Sequence, residues 1–97
     1  PVVANREARP LGSNAMPTYP PRALRAGIEG GMVARIQVDT RGNVSDVSIV
    51  ERQGNRDRDL DRAVINTVRG WHFEPAMRDG RAVASTVQVP VEFKTAQ

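Results

Sequence analysis

The 97-residue sequence contains no cysteine. That excludes a disulfide scaffold, a thiol nucleophile and a thiolate zinc site. Histidine occurs once, at His72, so a metal site could be assembled only from carboxylates. Asp57, Asp59 and Asp61 alternate, but they are interleaved with Arg58 and flanked by Arg56 and Arg62, and they read as an acidic helix start. His72 lies between Trp71 and Phe73 and reads as a packed or surface side chain, not a catalytic base. The serines and threonines have no nucleophile-elbow context. The glycines of residues 27–31 lack the lysine and following helix of a phosphate loop. No enzyme activity, metal or cofactor is expected. Aromatic residues are also few: Tyr19, Trp71, Phe73 and Phe93. The stacking platform of a single-strand nucleic-acid binder is missing, and no nucleic-acid partner is expected. No apolar run approaches the ~20 residues needed to cross a bilayer, and no signal peptide is visible. The chain starts at Pro1, so any anchor or targeting segment is expected upstream of it.

What is present is ordinary for one globular domain. Hydrophobic residues make up 39% and charged residues 26%, so a single modest core is affordable and a deep catalytic cleft is not. The net charge is +3, and every basic residue except Lys94 is arginine. Those arginines are scattered among Asp and Glu, which is the pattern of a solvated surface.

Residues 1–18 carry Pro10, Gly12, Ser13, Asn14 and Pro17 and no apolar period, and read as the flexible end of a linker. The folded domain is expected over 19–97. Pro21 to Ala26 predicts a short helix with proline in its first turn and Gly27 at its end; Leu24 and Ile28 would dock it. Met32, Ala34, Ile36 and Val38 alternate with mostly polar residues, which predicts a half-buried strand. Thr40-Arg41-Gly42-Asn43 reads as a turn, and Val44 to about Glu51 as a second strand with Val47 and Ile49 on its apolar face. Leu60, Ala63, Val64, Thr67, Val68 and Trp71 fall on one face of an amphipathic helix, with Asp57 or Asp59 as its cap. Met77 to Gly80 reads as a loop with an Asp-Gly turn. Val83 to Lys94 alternates as the longest strand, apolar at odd positions.

These pieces predict an α+β fold of two layers: a three-stranded antiparallel sheet in the order 2-1-3, packed by one long and one short helix. A parallel pairing of the third strand with the second is the topological alternative. The 2-1-3 order leaves the last strand on an edge. Pro90 agrees, because proline has no N–H to give and sits on edges or at bulges. If Pro90 faces outward, so do the main-chain groups of Ala84, Thr86 and Gln88. An extended peptide could complete that ladder. The same edge could instead be covered by the N-terminal segment or used for dimerisation.

Residues 19–30, beginning Tyr19-Pro20-Pro21-Arg22-Ala23-Leu24, resemble the opening signature of TonB C-terminal domains. The hairpin at Asp39 to Val44 is similar to that family's glycine turn. Trp71-His72-Phe73-Glu74-Pro75 resembles its post-helix signature, and Val87 to Phe93 its last strand. The resemblance covers Tyr19 to Lys94. It implies the periplasmic domain of an energy transducer, anchored in the inner membrane and working with ExbB and ExbD. It implies binding of the TonB box of outer-membrane receptors that import iron–siderophore complexes or vitamin B12. By the same resemblance, the peptide-binding residues are Tyr19 and Pro20 together with Ala82, Val83, Ala84, Ser85, Thr86, Val87, Gln88 and Val89. Some family members exchange strands, so a strand-swapped dimer is a further implied state. A sensor or envelope-scaffold domain with a TonB-like fold is the runner-up reading.

Overall fold

The computed structural model describes residues 5–54 and 57–95. Its elements, in chain order, are β1 (Arg9–Pro10), α1 (Pro21–Arg25), β2 (Gly30–Val38), β3 (Val44–Gly54), α2 (Arg58–Val68), β4 (Phe73–Glu74), β5 (Ala76–Arg78), β6 (Arg81–Val83) and β7 (Ser85–Phe93). The main sheet has the order β3-β2-β7, and both pairings are antiparallel. This is the 2-1-3 arrangement expected from the alternation and from Pro90.

The core lies between this sheet and the helices. Met32, Ala34, Ile36 and Val38 from β2 meet Leu60, Val64 and Val68 from α2, with Trp71 and Phe73 just beyond the helix and Val91 and Phe93 at the end of β7. Each fully buried Val, Leu or Ile contributes roughly 1.5–3 kcal/mol relative to exposure, so the α2 stripe alone is a substantial part of the fold's stability. The short helix docks differently from expectation. Leu24 is exposed, whereas Ala23 is fully buried and Ile28 packs against the core. The five-residue helix buries one residue, the small Ala23.

α2 begins at Asp57, whose carboxylate accepts from the N–H groups of Asp59 and Leu60 at 2.9 and 3.3 Å. The acidic helix start is neutralised from a distance. Arg22 of α1 reaches Asp57 at 2.9 Å and Asp59 at 2.7 Å, and Arg52 of β3 reaches Asp61 at 2.7 Å. Of the local arginines expected to do this, Arg62 comes only within 3.9 Å of Asp59, Arg58 makes no ion pair among the described residues, and Arg56 lies outside them. Arg52 reaches α2 because Val50 is left unmatched between the pairs Val33–Glu51 and Ala34–Ile49. That bulge puts Arg52, opposite Met32, on the helix side of the sheet.

The largest departure from the sequence reading is a second set of short strands. Ala76–Arg78 and Arg81–Val83 form a hairpin where a loop was expected, turning at Asp79 and Gly80 with φ of 53° and 79°. β1 pairs with β4, and Arg6 and Met77 exchange two main-chain hydrogen bonds of 3.1 and 2.8 Å. Residues 5–18, read from composition as linker, are therefore stitched to the post-helix segment. Leu11 N–H donates to the His72 carbonyl, and Trp71 Nε1–H to the Ala15 carbonyl at 2.7 Å. Main-chain and single side-chain bonds hold this segment, with Ala8 as its buried anchor, so no apolar period marks it.

Gly42 joins the two parts of the fold. It has φ of 85°, and its carbonyl accepts from Phe73 N–H at 2.8 Å. A Cβ at this position would lie 2.0 Å from the Phe73 oxygen. Gly42→Ala combines backbone strain with a main-chain clash and should destabilise the domain by roughly 2–5 kcal/mol. Urea unfolding followed by Trp71 fluorescence should show a markedly lower midpoint; an unchanged midpoint would refute the contact.

Asp57 also generates a pH prediction. The Arg22 guanidinium, followed by the capped N–H groups of Asp59 and Leu60, holds its carboxyl below the ordinary aspartate range, against an opposing effect of partial burial. A depressed native pKa means that the stability is present at neutral pH and is lost as pH falls through the folded value. Asp57→Asn keeps a capping oxygen but not the charge. It should lower Tm at neutral pH and flatten the acid limb of a Tm-against-pH curve; superimposable acid limbs would contradict this.

Candidate functional site

The main-chain direction of β7 follows from one hydrogen bond at the far end of β2. Asp39 N–H donates to the Asn43 carbonyl at 2.9 Å, on the β3 side. Donor and acceptor directions alternate along a strand. Gln37, Arg35 and Val33 therefore face β3, and Val38, Ile36, Ala34 and Met32 face β7. Their cross-strand partners are Ser85, Val87, Val89 and Val91. Those four turn their N–H and C=O groups inward. Thr86, Gln88 and Pro90 turn theirs away from the sheet, and among the described residues β7 has no strand neighbour on that side. Pro90 has no N–H to leave unpaired, so it ends the run of donors.

β3 is the other edge, and it differs in kind. Two residues, Ser45 and Val50, are unmatched in its register, and Asp46 and Glu51 are exposed along it. Bulges and charges are the usual means of making an edge a poor template. β7 instead pairs with β2 without a register break from Ser85 to Phe93.

A groove of about 540 Å³ runs beside the open half of β7. Ser85, Thr86, Val87, Gln88 and Val89 form one side, and Glu7, Ala8 and Pro10 contribute to its lining from the lead-in. Phe73 and Ala76 also line it and are buried, so they close its base; Arg78 is exposed at its rim. Volumes of this size are typical of ligand clefts. The five β7 residues span roughly 17 Å, enough for a short extended segment.

The structure divides the residues singled out from the sequence. Ser85 to Val89 lie together on the groove. Ala82 and Val83 belong to β6, where Ala82 is opposite Met77 and Val83 opposite Ala76. Ala84 stands between β6 and β7, outside both. The uninterrupted strand expected from Val83 onward is therefore broken at Ala84, because residues 81–83 are drawn into the hairpin with residues 76–78. Tyr19 and Pro20 are elsewhere. The Tyr19 ring meets Phe93 edge-on at 5.2 Å, and its hydroxyl donates to the Ile28 carbonyl. Desolvation, and then the charge of Glu29, raise the Tyr19 pKa. Tyr19 and Pro20 line a separate, more apolar depression of about 310 Å³ with Pro21, Ala63 and Asn66. Phe93 is six residues along β7 from Val87, roughly 20 Å. The groove residues missed in the sequence are Glu7, Ala8, Pro10, Phe73, Ala76 and Arg78. The Asp79-Gly80 dipeptide was the available signal for the hairpin; nothing in the sequence marks the lead-in.

Among the described residues no cluster of carboxylates and imidazole could hold a metal ion, and no helix is long and apolar enough to cross a membrane. The fold and the edge together define a small two-layer α+β domain that presents one regular strand, open along its outer edge, beside a groove. Residues 15–95 match the family described as Gram-negative bacterial TonB protein, C-terminal. The chain belongs to that TonB C-terminal family. It is 43% identical over 77 residues to the protein TonB of Xanthomonas campestris pv. campestris, a match covering 79% of this chain and 34% of that protein. It is 36% identical over 81 residues to the protein tonB2 of Pseudomonas aeruginosa, covering 84% of this chain and 29% of that protein. The chain thus spans about a third of the length of the curated relatives it matches. Its fold is similar to the solution structure of the Pseudomonas aeruginosa TonB C-terminal domain, with a TM-score of 0.74 at 28% identity, covering 94% of this chain and 89% of that one. It is also similar to the TonB2 protein of Vibrio anguillarum, with a TM-score of 0.68 at 32% identity, covering all of this chain and 90% of that one.

The derived edge makes a prediction for the free protein. In amide hydrogen exchange, Thr86 and Gln88 should exchange fast while Val87 and Val89 are protected. The reverse pattern would invert the edge.

Proposed function

We propose that this chain is the periplasmic, non-enzymatic domain of a TonB-type energy transducer, and that it binds the TonB box of outer-membrane receptors by strand addition along β7. The carrying observation is the unbroken edge at Thr86 and Gln88, set beside a groove of the length of a short extended peptide. Main-chain hydrogen bonds to Thr86 and Gln88 supply affinity, and half-buried Val87 and Val89 offer apolar contact to alternate side chains of the peptide. Membership of the TonB C-terminal family supports the choice of partner.

On this reading the parent protein is anchored in the inner membrane by a helix outside this chain and is driven through ExbB and ExbD by the proton-motive force. Tension transmitted through the paired strands would open the receptor to iron–siderophore complexes or vitamin B12. An antiparallel or parallel ladder loaded along its strands shares force among several hydrogen bonds, so a short pairing suffices for a transient pull. Tyr19 and Pro20 would then meet the receptor at a second position, separate from the peptide groove.

Thr86→Pro should abolish binding of a synthetic TonB-box peptide in isothermal titration calorimetry, while circular dichroism shows the fold largely retained, because only an outward N–H is removed. Unimpaired binding would remove the β7 edge as the site.

A further inference from the structure

The peptide groove has a wall that the family match does not include. The match begins at residue 15, yet Glu7, Ala8 and Pro10 line the groove with Ser85 to Val89. This segment pairs with Phe73 to Met77 and makes no strand pairing with β7. It therefore stands beside the open edge without occupying it.

We infer that the lead-in around Glu7 to Pro10 is the second wall of the binding groove, so that a docked peptide is held between it and β7. This inference rests on the strand-addition reading above. Two observations carry it. The segment is fixed, through the Arg6–Met77 bonds, the buried Ala8 and the Arg9–Glu74 ion pair of 2.7 Å. Its position leaves room for an occupant between the walls, in a groove about 540 Å³ in volume.

The occupant that fits is a single extended segment. Toward β7 it would complete the ladder; toward the lead-in it would meet the carboxylate of Glu7 and the apolar faces of Ala8 and Pro10. Arg78 at the rim adds a positive charge on the hairpin side. A peptide carrying both a cationic and an anionic end group would be oriented by this pair, as complementary charges commonly fix register.

The test uses the full chain, a dye-labelled TonB-box peptide and fluorescence anisotropy. Glu7→Trp places a bulky ring on the exposed wall, and it should weaken binding roughly tenfold. Arg9→Glu sets like charges against Glu74 and loosens the wall; binding should fall about three- to tenfold. The double variant Arg9→Glu/Glu74→Arg restores the ion pair and should recover the affinity. Circular dichroism on each variant checks the fold, and the exposed positions of Glu7 and Arg9 make unfolding unexpected. Wild-type affinity in both single variants, with binding still lost in Thr86→Pro, would overturn the second wall and leave the strand-addition reading intact. Tighter binding by Arg9→Glu would also overturn it, since the lead-in would then be a competitor for the edge. No binding by the wild-type chain would overturn both.

Discussion

The groove exists because a glycine lets two main chains meet. Phe73 N–H donates to the Gly42 carbonyl, and no side-chain carbon fits at Gly42 against the Phe73 oxygen. This contact pins the segment after α2 to the tip of the β2–β3 hairpin. From there Phe73 and Ala76 close the base of the groove, and His72 to Met77 offer a template to which the lead-in pairs. Asn14 completes the junction: its side chain donates to the His72 carbonyl at 2.8 Å and accepts from His72 N–H at 2.9 Å. A shift of the post-helix segment would move the base and the second wall together, while leaving the three-stranded sheet paired.

The two sheet edges are managed in opposite ways. On β3, bulges at Ser45 and Val50 break the row of donors and acceptors, and the Val50 bulge also delivers Arg52 to Asp61 on α2. One irregularity thus spoils an edge and ties the sheet to the helix layer. On β7 the row is regular, and only Pro90, Glu92 and Lys94 interrupt its far end. A flat edge is a hazard for any free domain. Here it lies beside a groove, and just beyond it Thr95 is held to Glu29. Thr95 donates its N–H and hydroxyl to the Glu29 carboxylate at 2.7 and 2.6 Å, and those bonds depress the Glu29 pKa.

Much of this was legible in the sequence, for physical reasons. Alternation at Met32 to Val38 and from Val83 to Phe93, the 3.6-residue recurrence from Leu60, and the missing donor of Pro90 together give the sheet, its order and its open edge, although that alternation runs across the break at Ala84. Asp57 was one of two candidate caps, with Asp59 the other. Three features were not legible. The β4–β6 strands are two or three residues long, too short for a period to show, although Asp79-Gly80 was a turn signal. The lead-in is held by main-chain bonds, which any residue can make. The pairing of Arg22 and Arg52 with the acidic helix start depends on distant chain segments, one of them displaced by a bulge. The groove's first wall could therefore be read from the sequence, and its base and second wall could not.

The central claim is that β7 accepts an extended peptide through Thr86 and Gln88. The most direct measurement is a titration of the isotope-labelled chain with a TonB-box peptide, followed by amide shifts and amide exchange. The account predicts that the Thr86 and Gln88 amides shift most and gain protection from exchange, with smaller changes at Val87 and Val89. Changes concentrated along Val44 to Gly54, with β7 unaltered, would contradict it.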